Sequence, residues 1–546
     1  MISKFFFRIL LASLLILTAC LGPVARVETG KTPIVRIGLL QNISELRLQT
    51  PEKFSLLHPR GRYLARNLTG ERWVVSIKQI EPARIDYRLL AISTRDKSAA
   101  RAMLDKVVDA GLLPQMIEER PDYDRLLVAQ NTATLYKVVL REKFASREAA
   151  LARQKEIADK IQTELWEIVR KPASGNLELG NLETTQSYQL PSGFQIVAER
   201  IEIPNVPIGT GFHWEGTESR AYRGRLEIFV DRFSRLTVVN ILPIEEYVQG
   251  VVPSEMPHVF PLEALKAQAV AARNETFAKV GARHLEDNFD LCADVHCQVY
   301  SGITREQPST NQAVAATKGL VMKANGLIVE ANYAGVCGGH TESNENVWNG
   351  LPKPYLRGIF DGNGRPDLLG NSLQNENTLL RWLTTKPGVY CNTTQGEIPS
   401  AMEYTKKYFR WEVNYTRQEL QDLIRKRTGE DFGELQDLVP LQRGVSGRLS
   451  RLRVSGTKKT FEISRELAIR QALSEKTLWS ACIAIEKSDR DPAKRDLPAR
   501  FKILGAGWGH GVGLCQTGAA MMALRGQNFL QILQHYYSGV KLDKKF

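Results

Sequence analysis

Apolar positions along this chain change period several times, and the changes mark its elements. Residues 34–40, Ile-Val-Arg-Ile-Gly-Leu-Leu, read as a strand. Residues 87–92 read as another, followed by a helical run over 98–110 that stops at Gly111. A similar unit follows, with a strand at 136–140 and a helical run from Ser146 through Trp166. Each helix opens on a serine, a residue that caps helix N-termini. From about 190 to 240 the chain turns β-rich, and 226–230 and 236–240 look like paired strands around a polar turn. After Pro261 a helix runs to about Val280 and stops at Gly281, with Leu262, Leu265, Ala269, Ala272 and Thr276 as its apolar stripe. A short helix over 312–318 precedes a strand at 320–324. Asn325-Gly326 then turns the chain back into 327–330, a strong hairpin signal. Residues 361–499 are polar, charged and weakly periodic, and read as an insertion or subdomain. The end, 528–537, is again helical.

This order predicts a multidomain α+β protein. At 546 residues, roughly two to four domains are expected. The expected pieces are a β-rich segment at 34–75, a smaller α/β module at 85–172, and a large domain over 190–546. The two strand–helix units of the module resemble the sporulation-related repeat (SPOR) domain. That resemblance, one of pattern, implies a binder of cell-wall glycan strands; a generic α/β domain has the same pattern.

Charge and the N-terminus narrow the setting. A net charge of +13 favours a polyanionic partner, whether nucleic acid, anionic lipid or an anionic wall polymer. Lys4 and Arg8 flank a short apolar run that ends Leu17-Thr18-Ala19-Cys20. The run is short for a membrane span and reads as a secretory signal over residues 1–20. Its end resembles a bacterial lipobox, which implies lipidation at Cys20, export to the cell envelope and a membrane anchor. Export weakens the nucleic-acid reading, so no nucleic-acid partner is expected. Cys20→Ala should therefore release the mature protein from the membrane fraction; a variant that stays fully membrane-bound removes the anchor.

Four stretches carry chemistry. They are EEYVQGVVPSEMP at 245–257, ALKAQAVAAR at 264–273, YAGVCGGHTESNENVW at 333–348 and GWGHGVGLCQTGA at 507–519. In the first, Glu255 lies between Pro253 and Pro257 with Val251, Val252 and Met256 nearby. A desolvated carboxyl of this kind stays protonated near neutral pH and serves as a general acid. The plain alternative is a glutamate that caps the following helix. In the second, Lys266 and Arg273 share a helix face, suited to an anionic ligand or to solvent. In the third, Gly338-Gly339 permits close backbone approach, with His340 and Glu342 following. In the fourth, Gly505, Gly507, Gly509, Gly511 and Gly513 surround His510, and Gln516 follows; the stretch suggests a saccharide-binding loop.

In this order the four stretches resemble the stage II sporulation protein D (SpoIID) family, which includes the amidase enhancers. The resemblance covers roughly 190–546, poorly after Asp361, and takes in CQVY at 297–300. It implies peptidoglycan as substrate and, for enzymatic members, lytic transglycosylase chemistry, in which one acid/base residue suffices and no cofactor is required. Glu255 is then catalytic, and Lys266, Arg273, His340, Glu342, His510 and Gln516 are candidates for substrate binding. A hydrolase would need a second carboxylate, for which Glu342 and Glu345 are the nearest suspects. A non-catalytic activator of a cell-wall amidase is the alternative.

Seven cysteines are too few for a disulfide scaffold. Cys292, His296 and Cys297, with His284 upstream, suit a structural zinc ion; a local disulfide and free thiols remain alternatives.

Overall fold

The computed structural model describes residues 32–94, 97–119, 134–348, 350–364, 372–490 and 497–546. The expected secretory signal over residues 1–20, with Cys20, lies outside these residues. No helix among the described residues is long and apolar enough to cross a membrane.

The fold is α+β and multidomain. An eleven-stranded sheet forms its base. Strand Gly216–Val230 lies between Gly193–Ile208 and Leu236–Pro243, all antiparallel. The turn that joins Gly216–Val230 to Leu236–Pro243 is set locally: the Asp231 carboxylate accepts the backbone N–H of Phe233 at 2.8 Å and of Arg235 at 3.0 Å. Strand Ile34–Ile43 closes against Leu236–Pro243 and runs parallel to Leu291–Cys292. The 34–75 stretch is therefore part of this sheet rather than a separate segment.

Residues 84–171 are inserted into that sheet's chain path as a β-α-β-β-α-β unit. Its strands are ordered Pro114–Glu119, Leu135–Leu140, Arg84–Thr94, Glu164–Lys171, with helices Lys97–Asp109 and Arg147–Glu156 packed on them. The run from Ser146 to Trp166 is thus not one helix. Ser146 caps its start, but the helix ends at Glu156, and Leu165, Trp166, Ile168 and Val169 enter a strand that suits their shapes.

Helix Leu262–Lys279 is the axle of the large domain. Thirteen of its eighteen residues are buried, so it is enclosed on nearly all sides rather than along one stripe. Its alanines let helices Ile244–Glu255, Pro308–Ala316, Gln516–Leu524 and Phe529–Tyr536 come close. Its polar residues are ties. Asn274 clips strand Leu320–Ala324 through three hydrogen bonds of 2.8 Å to Met322 and Val329. The hairpin turns at Asn325 and Gly326, both with positive φ, as its residue pair demands.

The 361–499 stretch is a packed body. Strands Leu435–Arg443, Leu449–Gly456 and Thr460–Ser464 form one sheet; Trp411–Thr416, Pro498–Gly505 and Ile483–Arg490 form another. Between them lie Leu420, Ile424, Phe432, Leu452, Val454, Ile469 and Phe501, all buried. Strong alternation hides behind the polar average: Arg451 and Arg453 face Glu462 outside while Leu452 and Val454 point in.

Candidate active site

Glu255 is the last residue of helix Ile244–Glu255. Pro253, inside the final turn, has no N–H to continue the ladder, and Met256 leaves with extended φ and ψ. The carboxyl therefore projects from a helix end, partly exposed, toward the 297–300 loop. There it accepts the backbone N–H of Val299 at 2.7 Å. Burial drives its pKa up to about 7; the Val299 N–H, Lys279 and the Tyr333 hydroxyl only partly offset this. Val251, Val252 and Met256, expected beside the carboxyl, are core residues of the helix and its exit.

The Tyr333 hydroxyl has one proton to share between the Glu255 carboxyl and Gln298 Oε1, which lies 3.0 Å away, and Gln298 Nε2 donates to Thr276 at 3.1 Å. Gln516 Nε2 donates to the Glu255 carbonyl at 3.0 Å, so the glycine-rich stretch reaches the same helix end. His510 Nδ1 accepts the Val512 N–H at 3.0 Å, and the ring also hydrogen-bonds the Tyr333 backbone. Burial, with Arg448 next, holds His510 neutral, its pKa lowered to about 3. The ring centre lies 4.9 Å from that of Trp348. Tyr333 and Gln298 were not singled out from sequence, although each sits in a stretch that was: YAGVC and CQVY.

The glycines of 505–513 are required by the protein's own packing. A Cβ on Gly513, at φ +72°, would sit 2.0 Å from the Asn332 carbonyl oxygen. One on Gly339 would meet the Trp382 ring at 2.6 Å. The stretch crosses 333–337 at backbone contact, with Tyr333 paired to Leu514 and Val336 to Trp508.

Several expected substrate ligands are committed elsewhere. Arg273 is fully buried and grips Glu245 with two bonds of 2.8 Å. It also donates to the Leu320 carbonyl at 3.0 Å. Arg273→Met should cost about 3–5 kcal/mol in denaturant unfolding by leaving Glu245 without its counter-charge. Glu342 is also fully buried, and accepts from Ser343, Asn346, Val445 and Ser446. His340 is buried, with Nδ1 2.7 Å from the Thr341 carbonyl. These three are structural, because each is enclosed. Lys266 pairs with Glu263 at 2.6 Å, and Glu345 with Arg357. Neither suspected second carboxylate, Glu342 or Glu345, is free for catalysis.

The second cluster from sequence does assemble. Ligand atoms of His284, Cys292, His296 and Cys297 lie within 4.8 Å of one another, and neither sulfur is in a disulfide. Cys297 Sγ is 3.4 Å from His284 Nε2, and His296 Nδ1 is 3.7 Å from both sulfurs. Tetrahedral zinc with its usual bond lengths needs N···S separations of about 3.6 Å. Asp287 takes the other nitrogen of His284 at 2.9 Å, the usual outer support of a metal-bound imidazole. The four residues fit zinc. Through Cys297, Gln298 and Val299 they are two residues from the Glu255 contact.

Fold and site together define an α+β protein organised around one partly buried helix-terminal carboxyl. A family model described as stage II sporulation protein (SpoIID) matches residues 232–323, which hold Glu255 and the His/Cys cluster. A model described as a domain of unknown function (DUF8618) matches 342–513. An uncharacterised protein of Brachyspira hyodysenteriae is 30% identical over 332 residues, 61% of this chain and 74% of its own length. The amidase enhancer of Bacillus subtilis is 29% identical over 307 residues, 54% of this chain and 40% of that protein. Stage II sporulation protein D of Bacillus amyloliquefaciens is 27% identical over 345 residues, 60% and 82% of the two chains. The chain belongs to the stage II sporulation protein D family.

Proposed function

We propose that the protein acts at the bacterial cell envelope as a peptidoglycan lytic transglycosylase, with Glu255 as its only acid/base group. The carrying observation is a carboxyl with its pKa near 7 at a partly open helix end, with no free carboxylate at Glu342 or Glu345. Protonated Glu255 gives its proton to the glycosidic oxygen as the C1–O bond breaks. The resulting carboxylate keeps the Val299 N–H and can take the Tyr333 hydroxyl proton in a hydrogen bond. It then removes the proton of the sugar's own C6 hydroxyl, whose oxygen closes on C1. Glu255 ends protonated, and no water is consumed. Gln516 and Gln298 are positioning residues in this scheme.

A structural zinc at His284, Cys292, His296 and Cys297 would supply no chemistry to the sugar; it would hold the loop that presents Val299 and Gln298. Lipidation at Cys20 would keep the protein at the membrane, and the 84–171 unit would add a second hold on glycan strands. The relatedness to an amidase enhancer supports a second reading, a non-catalytic activator of a cell-wall amidase. Digestion of purified glycan strands, followed by mass spectrometry of the ends, separates the two. The transglycosylase leaves 1,6-anhydro ends. Reducing ends indicate a hydrolase, and an uncut strand leaves the activator.

A further inference from the structure

A second cluster, in none of the site's chemistry, joins four distant parts of the chain. Ligand atoms of Cys337, Asp361, Cys391 and Cys515 all lie within 4.8 Å of one another, and all four residues are buried. Cys337 Sγ is 3.5 Å from Cys391 Sγ and 3.1 Å from Asp361 Oδ2. None of the three sulfurs is in a disulfide. We propose that these residues form a second metal site, binding one zinc ion through three thiolates and the Asp361 carboxylate.

Backbone N–H groups are already aimed at the sulfurs. Cys515 Sγ accepts from Cys337 N at 3.2 Å and from Gly518 N at 3.4 Å, and Cys337 Sγ accepts from Gly339 N at 3.4 Å. Cys515 is also the N-cap of helix Gln516–Leu524, where the helix dipole favours an anion. The carboxylate is oriented from behind. Asp361 Oδ1 takes the Tyr536 hydroxyl at 2.7 Å and faces His535 Nε2 at 3.3 Å, which leaves Oδ2 toward the thiols. A fully buried carboxylate beside three sulfurs is costly unless a cation joins them. Arg410 and Arg448 bond the carbonyls of Gly338 and Cys337 and offset the site's excess negative charge. Thiolate ligands select zinc among the common divalent ions, and zinc requires S···S separations of about 3.8 Å. Binding releases the three thiol protons to solvent.

The site would act as a staple. It ties 337, 361 and 391 to Cys515, and the next residue, Gln516, holds the Glu255 carbonyl. This zinc is therefore a positioning element, and its presence is independent of which reaction Glu255 serves.

The test is a metal count on the full-length chain purified without a metal-affinity tag. Elemental analysis with native mass spectrometry should find about two zinc ions per chain. Cys391→Ser should retain one, Cys297→Ser should retain one, and the double variant none. The Co2+-loaded wild type should show the charge-transfer absorption of five thiolates rather than two, a readout that needs no variant to fold. One zinc per chain that survives Cys391→Ser overturns the proposal. So does a Cys337–Cys391 disulfide, seen as protection of both residues from alkylation after non-reducing denaturation.

Discussion

Glu255→Gln is expected to fold, bind glycan strands and lose roughly 10²-fold or more in cleavage rate, the usual cost of losing an acid–base group. The amide is nearly isosteric, and its oxygen can still accept the Val299 N–H. The pH dependence has a definite sign. A general acid works only while protonated, so wild-type kcat/KM should be flat below about pH 7 and fall about tenfold per unit above it. Stability follows the same group. Its pKa is raised in the folded protein from 4.5 to about 7. The stabilisation linked to its proton is therefore fully present below about 4.5 and lost as pH rises through 7. Glutamine cannot ionise, so the variant should overtake wild type in denaturant melts above pH 7, by up to roughly 3 kcal/mol. Full cleavage by the variant would remove Glu255 from the reaction. No cleavage by either protein, with amidase stimulation intact in both, would establish the activator instead.

If the proposed zinc occupies the His284, Cys292, His296 and Cys297 cluster, its removal should have the second largest effect. Structural zinc sites contribute on the order of 10 kcal/mol to the order of the loops they close. Cys297→Ser should lose one zinc, raise hydrogen exchange across 280–300, and abolish cleavage by withdrawing the Val299 N–H and Gln298 from the site. Re-addition of Zn2+ to chelated wild type should restore both exchange protection and activity. A peptide containing Cys292 and Cys297 lighter by two hydrogens, with no zinc, would assign a disulfide to this pair.

Local signals in the sequence determined local structure well. Asn325-Gly326 turned the hairpin, Gly281 followed the helix end at positive φ, and Asn528 capped the last helix through a reciprocal bond with Gln531. Each depends on a few neighbouring residues whose backbone preferences act over one turn. The proline-framed glutamate and the His/Cys spacing were legible for the same reason, since their groups lie close along the chain. What only the tertiary structure decided were the partners. Arg273 shares a helix face with Lys266, yet one is sealed against Glu245 and the other remains near the surface. The glycines of 505–513 looked like space for a sugar, but a Cβ there would meet residues 332–337, Trp411 or Arg448. The 361–499 body hid because alternating strands with charged outer faces average to polar. Cys337, Asp361, Cys391 and Cys515 are up to 178 residues apart, as the Cys337–Cys515 contact shows, and no spacing rule joins them. Periodicity and caps are short-range, set by the geometry of one or two turns. Which charge is buried, and which thiols meet, depends on how separate elements pack, and that is settled only when the whole core closes.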